Sequence, residues 1–307
     1  MLSFILRRLI VIVPMAFIVI SITWGLIRIA PGNFYSSERK LPAAIEKNIR
    51  EKYLLDKPWY EQYFRVITNI ASGDLGSSLK YEGQTVNSIL LRTVPVSASI
   101  GFLAYLLALL IGITAGTVAA LRQNSGFDYG AMTIAMLGQS VPNFVIAPIL
   151  VLVFSLGLYW LPPARWNGFF SVNIILPVLT LAPIYAAYIA RLTRAGMLEV
   201  LRSDYIRTAR AKGLSERDVI FRHALRGGLM PVISYTGPAL AGLLAGTVVV
   251  EKIFALPGLG NVFIQSCLNR DYSLVLGVVA FISIVVMIAN LLVDIAYAYL
   301  DPRIRFD

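Results

Sequence analysis

Six stretches of this chain carry no Asp, Glu, Lys or Arg: residues 9–27, 93–121, 129–164, 166–190, 227–250 and 272–293. A helix needs about 20 apolar residues to cross the hydrocarbon of a bilayer, and few soluble folds tolerate even one such run. Backbone groups inside lipid have no water to bond, and continuous apolar runs of this length satisfy them as helices. The chain therefore reads as an all-α integral membrane protein with six spans. The third stretch is longer than one crossing needs and holds Pro142, Pro148, Pro162 and Pro163. It reads as one kinked helix over about 130–158, followed by a Pro-rich loop. The first stretch exceeds the usual apolar run of a signal peptide, and Arg28 stands where a small residue should precede cleavage, so it reads as an uncleaved helix.

Composition agrees: 57% of the residues are hydrophobic and 14% charged, against about 25% charged in a typical soluble domain. One Cys (Cys267) and one His (His223) leave no internal disulfide, no Cys-based metal cluster and few histidine-built catalytic sites. The net charge of +10 reads as topology rather than nucleic-acid binding, because the cations cluster in particular loops. The loop 191–226 holds nine: Arg191, Arg194, Arg202, Arg207, Arg210, Lys212, Arg217, Arg222 and Arg226. The loops 159–173 and 251–271 together hold three: Arg165, Lys252 and Arg270. The positive-inside rule then puts the 191–226 loop and both termini in the cytoplasm. The segment after the first span is placed outside. In that segment Leu41–Tyr53 and Tyr60–Ile70 read as two short helices, from the spacing of Ile45, Ile49 and Tyr53 and of Tyr60, Phe64, Ile67 and Ile70. Gly73, Gly76 and Gly83 mark turns.

The loop between the fourth and fifth spans carries the most information. Ser203 or Asp204 can start a short helix and Gly213 can end it, with Lys212 at the negative end of its dipole. Tyr205, Ile206, Ala209 and Leu214 would form an apolar patch rimmed by Arg207, Arg210 and Lys212. Ser215 and Asp218 resemble a capping box for a second helix that runs on toward Pro231. Such a segment suits docking into a groove on another protein, or lying on anionic lipid.

The run from Tyr205 to Leu214, followed by Arg222-His223-Ala224-Leu225 and Leu229-Met230-Pro231-Val232, resembles the cytoplasmic loop of binding-protein-dependent ABC importer permeases. Gly213 matches the family's glycine, and Ala209 and Ala211 its small-residue positions; Arg207 or Thr208 stands where most members have Glu. Arg28-Ile29-Ala30-Pro31-Gly32, the run Glu251 to Gly260, Asn269-Arg270-Asp271-Tyr272 and Asp301-Pro302 are similar to the peptide and nickel branch. The resemblance covers essentially the whole chain.

It implies a type I, MetI-like permease core in a bacterial cytoplasmic (inner) membrane. The expected organisation is an N-terminal transmembrane helix over 1–30, a periplasmic segment over 31–94, and a core over 95–307 with the coupling loop at 191–230. The implied partners are a second homologous permease, two cytoplasmic ATPases that bind ATP and Mg, and a periplasmic or lipid-anchored peptide-binding protein. Tyr205, Ile206, Arg207, Thr208, Ala209, Arg210, Ala211, Lys212, Gly213 and Leu214 would couple to the ATPases. Glu251, Pro257, Gly258 and Gly260 would belong to an outer gate. The implied cargo is an oligopeptide; dipeptide, nickel and murein-peptide importers share these motifs.

The residues fit a motor held elsewhere. The sequence contains no G-x-x-x-x-G-K-[ST] loop, so no cofactor is expected in this chain. The span centres lack the carboxylate that an ion-coupled carrier uses; Asp294, near the end of the last span, is the one candidate. A membrane enzyme would need a nucleophile beside a base, and His223 has no evident partner in the sequence. Gln139, Ser140 and Asn143 beside Pro142 either line a path or bond neighbouring helices. Gly242 and Gly246, four apart, allow close helix packing.

Overall fold

A computed structural model describes residues 2–29, 56–163 and 165–300, with the side chains of 2–5, 244–246 and 297–300 left aside. The expected helix over Leu41–Tyr53 and the Ala30-Pro31-Gly32 and Asp301-Pro302 motifs lie outside the described residues. The long helices are α1 (Leu2–Ile29), α3 (Val86–Leu121), α6 (Ile175–Leu201), α10 (Met230–Ile253) and α12 (Tyr272–Leu300). Between them lie α2 (Trp59–Ala71), α4 (Gly126–Ser140), α5 (Asn143–Leu150), α7 (Asp204–Ala211), α8 (Glu216–Asp218), α9 (Leu225–Gly228) and α11 (Leu259–Leu268). Val151–Gly157 and Val219–Ala224 continue α5 and α8 as wider π turns. No strand occurs among the described residues; Ser77 and Thr85 form an isolated bridge.

Four helices, α1, α3, α6 with its lead-in from Val172, and α12, are long and apolar enough to cross a membrane. Two bent pairs raise the total to six if each counts as one span. One is α10, which bends by 41° between Leu243 and Thr247. The other corrects the expected kinked helix over 130–158. There α4 and α5 meet at 99°, a break rather than a kink. Val141 is extended (φ −89°, ψ 119°), as a residue before proline tends to be, and Pro142 is extended as well (ψ 146°). Two consecutive non-helical residues turn the chain through a right angle.

Two span limits also differ from the charge-free stretches. α3 begins at Val86 rather than 93, because Thr85 caps it: the Ser88 N–H donates to Thr85 Oγ1 at 3.2 Å. α6 begins at Ile175 and continues to Leu201 rather than stopping at 190, through a run of good helix formers (Leu192, Ala195, Met197, Leu198, Glu199). Arg191 and Arg194 therefore sit within the helix and not in a loop.

The described residues divide into two compact units, one within 96–260 and 288–300, the other within 2–29, 56–95 and 261–287. In the first, α6 is the central helix. Leu176, Leu181, Ala186 and Ile189 are buried among Ile100, Ala104 and Ala108 of α3 and Val232, Ala239 and Leu243 of α10. Close approach depends on glycine. A Cβ at Gly112 would lie 2.7 Å from Ile189 Cβ and 2.8 Å from the Ala186 carbonyl oxygen, and one at Gly116 would strike the Ala190 carbonyl oxygen. A Cβ at Gly242 would lie 3.0 Å from the Tyr185 hydroxyl of the same chain; the contact of Gly246 lies outside the described residues.

In the second unit α2 is the helix expected over Tyr60–Ile70. Its Tyr63 hydroxyl shares a 2.6 Å hydrogen bond with Ser21 of α1, and the Arg28 guanidinium donates to Gln62 Oε1 at 3.0 Å. Asp271 explains the Asn269–Tyr272 motif. It caps α12 through the Leu274 N–H (3.2 Å) and is fully buried. Its other oxygen accepts from the Leu79 and Lys80 N–H groups at 3.1 and 3.2 Å and from the Ser78 hydroxyl. One carboxylate thus starts a spanning helix and fixes the 78–80 turn.

Candidate functional site

The loop helix α7 forms as the sequence suggests and sits differently on the protein. Gly213 ends it with φ +80°, donating its N–H to the Arg210 carbonyl at 2.9 Å. Ser203 occupies the N-cap, but its hydroxyl donates back to the Val200 carbonyl at 2.6 Å and caps nothing. Ser215 does cap α8: its Oγ accepts from the Asp218 N–H at 3.2 Å and donates to Asp218 Oδ2 at 2.7 Å. Arg210 bridges the two helices through Glu216 at 2.8 Å, and Arg207 pairs with Asp204.

The expected four-residue apolar patch is split. Ile206 and Ala209 are buried against Ala120 of α3, Met197 of α6, and Val219 and Ala224 of the following turn. Only Tyr205 (49% exposed) and Leu214 (41%) keep apolar surface outward. Thr208, Ala211 and Lys212 share that outward surface with Arg207 and Arg210. The small-residue face is therefore a seat within the chain, and any partner meets the opposite face. Burying the Ile206 side chain contributes about 2 kcal/mol to that seat.

Gln139, Ser140 and Asn143 are brought together at the α4–α5 break. Gln139 and Ser140 are exposed, and the Ser140 hydroxyl donates to the Met136 carbonyl at 2.8 Å. The Asn143 side-chain oxygen is buried and accepts no hydrogen bond among the described residues. The break lies level with Pro183 of α6, whose carbonyl oxygen is 3.5 Å from a Cβ built on Gly138.

Glu251, Gly258 and Gly260 also converge, with Pro257 exposed beside them. Glu251, at the end of α10, is fully buried. The Ser97 hydroxyl of α3 donates to Glu251 Oε1 at 2.5 Å and accepts from the Leu259 N–H at 2.7 Å. The Leu256 N–H donates to the Glu251 carbonyl at 2.8 Å. A Cβ at Gly258 would lie 2.5 Å from both carboxylate oxygens, and one at Gly260 would lie 2.7 Å from Val248 Cα. The loop is thus wrapped on one buried acid, and the glycines are there for space. Gly258→Ala should destabilise the protein by about 1–3 kcal/mol, the scale for overpacking. Pro257→Ala, on the exposed side, should cost about 0.5 kcal/mol or less; thermal unfolding of the detergent-solubilised protein checks both. Ser97 is a residue that the sequence reading missed. It stands in an apolar span with no local signal, and only the fold brings it to Glu251.

Asp128 and Arg194 were missed as a pair. Arg194 Nε and NH2 donate to the two Asp128 oxygens at 2.6 and 2.7 Å, joining α4 to α6. Asp128 is 2% exposed and also accepts the Asn124 N–H at 2.9 Å. A signal existed: Asp128 is the only acid between Glu82 and Glu199. Asp294 and His223 are each half-buried, on α12 and on the Val219–Ala224 turn.

The family described as binding-protein-dependent transport system inner membrane component matches residues 112–306. The chain is 47% identical over 306 residues to the oligopeptide transport system permease protein OppB of Haemophilus influenzae, covering 100% of both chains. It is 48% identical over 306 residues to OppB of Salmonella typhimurium, again covering 100% of both. Among solved structures, a chain of the MetNI methionine ABC transporter, in a structure of inward-facing conformations, superposes with a TM-score of 0.57 and 16% identity. That match covers 69% of this chain and 96% of the other.

Proposed function

The chain belongs to the family of binding-protein-dependent transport system inner membrane components, and from that membership we propose how it works as the permease subunit of a peptide importer in the inner membrane. Its cargo is oligopeptides, the class named for the relatives that it matches along their full length. A second homologous permease completes the path. Two ATPases supply the energy, with ATP and Mg held in their sites, and an external binding protein delivers the peptide. The absence of a phosphate loop in the sequence supports leaving hydrolysis to those partners.

The observation that carries the coupling role is the seat of α7. Its inner face is packed on α3 and α6 through Ala120 and Met197, and its outer face is presented by Tyr205, Thr208, Ala211, Lys212 and Leu214. A motor gripping the outer face would move both helices through the inner one. Since α6 is the central helix of its unit, that displacement reaches the α4–α5 break with Gln139, Ser140 and Asn143, which line the path in this reading. Glu251, Pro257, Gly258 and Gly260 form the outer gate, with Ser97 as a positioning residue. The divisions follow suit: an anchoring helix over 1–30, an external segment over 31–94, and the transport core over 95–307. The test is a cysteine at Ala211 in a Cys267→Ser background, joined by a short bifunctional cross-linker. It should couple to a copurified ATPase with an ATP-dependent yield. A cross-link only to lipid or to nothing, in a complex that retains its ATPases, overturns the coupling role.

Orientation is testable with the natural cysteine. In this reading both termini and the loop from Arg202 to Arg226 are cytoplasmic, so Cys267 on α11 lies outside. Its thiol is exposed, while partial burial pushes its pKa up, against a smaller opposing pull from a hydrogen bond with Ser266. A raised pKa leaves less reactive thiolate at neutral pH. An impermeant maleimide should therefore label Cys267 in right-side-out vesicles slowly at neutral pH and faster as pH rises past the ordinary thiol range near 8.5. Labelling confined to inside-out vesicles would invert the topology.

A further inference from the structure

Helix α6 is packed on nearly all sides. Between Leu176 and Leu198 only Tyr188 and Ala195 are exposed. Ile184, Tyr188, Arg191 and Ala195 follow one another at three- and four-residue steps, so they share one face. That face carries a cation. Arg191 is half-buried, and among the described residues no carboxylate pairs with it.

Its surroundings are aromatic. The Tyr188 ring, 36% exposed, stacks on Tyr235 of α10 with centroids 4.3 Å apart and planes at 27°. The Arg191 guanidinium lies 5.2 Å from the Tyr188 ring centre. The neighbouring hydroxyls of Thr236 and Tyr105 share a 2.7 Å hydrogen bond that ties α10 to α3 beside the stack.

An intramembrane cation is costly unless it serves a purpose. A lipid-facing arginine near a helix end normally extends toward the headgroups. This one does the reverse. Arg191 is ten residues before the Leu201 end of α6, and its head folds back over Tyr188, toward the middle of the helix. A guanidinium held over a ring keeps its edge donors free for a planar anion. Tyr188 is also five residues, about 7.5 Å, along α6 from Pro183, which lies against Gly138 beside the α4–α5 break.

We propose, given the role as a peptide permease, that Tyr188, Tyr235 and Arg191 form a subsite of the translocation path for the C-terminal carboxylate of the peptide. Arg191 pairs with the carboxylate through two N–H groups. The tyrosine stack carries the terminal peptide plane or side chain and has no preference among residues, as a path shared by many sequences requires. Release is retained because a partly exposed pair is screened by water and holds only weakly.

The experiment uses the complete importer in proteoliposomes with ATP and its binding protein. Uptake is measured for one pentapeptide as the free acid and as the C-terminal amide. The free-acid to amide uptake ratio of the wild type is divided by that of Arg191→Gln. The same binding protein delivers to both complexes, so its own preference cancels. The quotient should be about ten, with Arg191→Lys between the two. A quotient near one overturns the subsite, including the case in which both substrates lose uptake together. Loss of the second permease from purified Arg191→Gln would make the residue an interface contact and also overturn it. So would a quotient that falls to one when anionic lipid is omitted, which would assign Arg191 to headgroups. Wild-type complex that imports neither peptide would instead sink the permease role itself.

Discussion

Ala211→Asp should leave this permease in the membrane at normal abundance and lower ATP-driven peptide uptake about a hundredfold, whereas Ala209→Asp should remove the protein. The two positions are two residues apart on α7 and differ in what they face. Ala211 is exposed, beside Thr208 and Lys212. A carboxylate there is hydrated until a partner covers it, and leaving it unpaired in that interface costs about 3 kcal/mol or more, or two decades in binding. Ala209 is buried against the chain's own Met197, Val219 and Ala224. A carboxylate there loses its water at folding against apolar side chains, which costs several kcal/mol out of a small total stability. The check is immunoblot abundance beside vesicle uptake. Normal uptake by Ala211→Asp in an intact complex would remove α7 from the coupling path. Normal abundance of Ala209→Asp would show that the seat is dispensable.

Asp128→Ala should cost about 3–5 kcal/mol, the loss expected when one partner of a buried ion pair is removed. Two parallel hydrogen bonds from Arg194 and one from the Asn124 N–H converge on that carboxylate. Removing it leaves a guanidinium on α6, one turn beyond the Tyr188–Arg191 stripe, with no counter-ion. Thermal unfolding of the solubilised complex should shift downward, and abundance should fall. Asp128→Ala with Arg194→Met should recover part of the loss, because no charge is then stranded and Met refills the volume. A double-mutant cycle measures the coupling. Strict additivity would mean that the pair is ornamental and that α4 is held on α6 by packing alone.

The sequence's clearest statements concerned single elements. The absence of charge over 9–27, 93–121 and 272–293 located α1, α3 and α12, because the cost of an ion in hydrocarbon is paid residue by residue. Gly213 and Ser215 delimited α7 and α8, because a left-handed glycine and a side-chain cap act within four residues. Trp59–Ala71 was legible from its spacing alone. Pro142 was visible too, but whether a proline kinks or breaks a helix depends on the residue before it and on what receives the emerging chain. The proline rule covers Val141; that Pro142 is extended too, so that the helix breaks instead of kinking, is not written in the local sequence.

Pairings between distant residues were not legible. Ser97 on Glu251, Arg194 on Asp128 and Tyr188 on Tyr235 join residues 47 to 154 positions apart. No local pattern marks which of many serines or tyrosines will meet. The split of the α7 patch is the same lesson at short range: Ile206 and Ala209 looked like a docking face because they are apolar and small. Periodicity finds a face but does not say what lies against it. Hydropathy and turn chemistry, being properties of neighbours along the chain, set where this protein crosses the membrane and where its loop helix begins and ends. Which side of each helix is buried, and which charges become partners, was decided by packing of distant segments, since burial and Coulomb energy depend on separation in space.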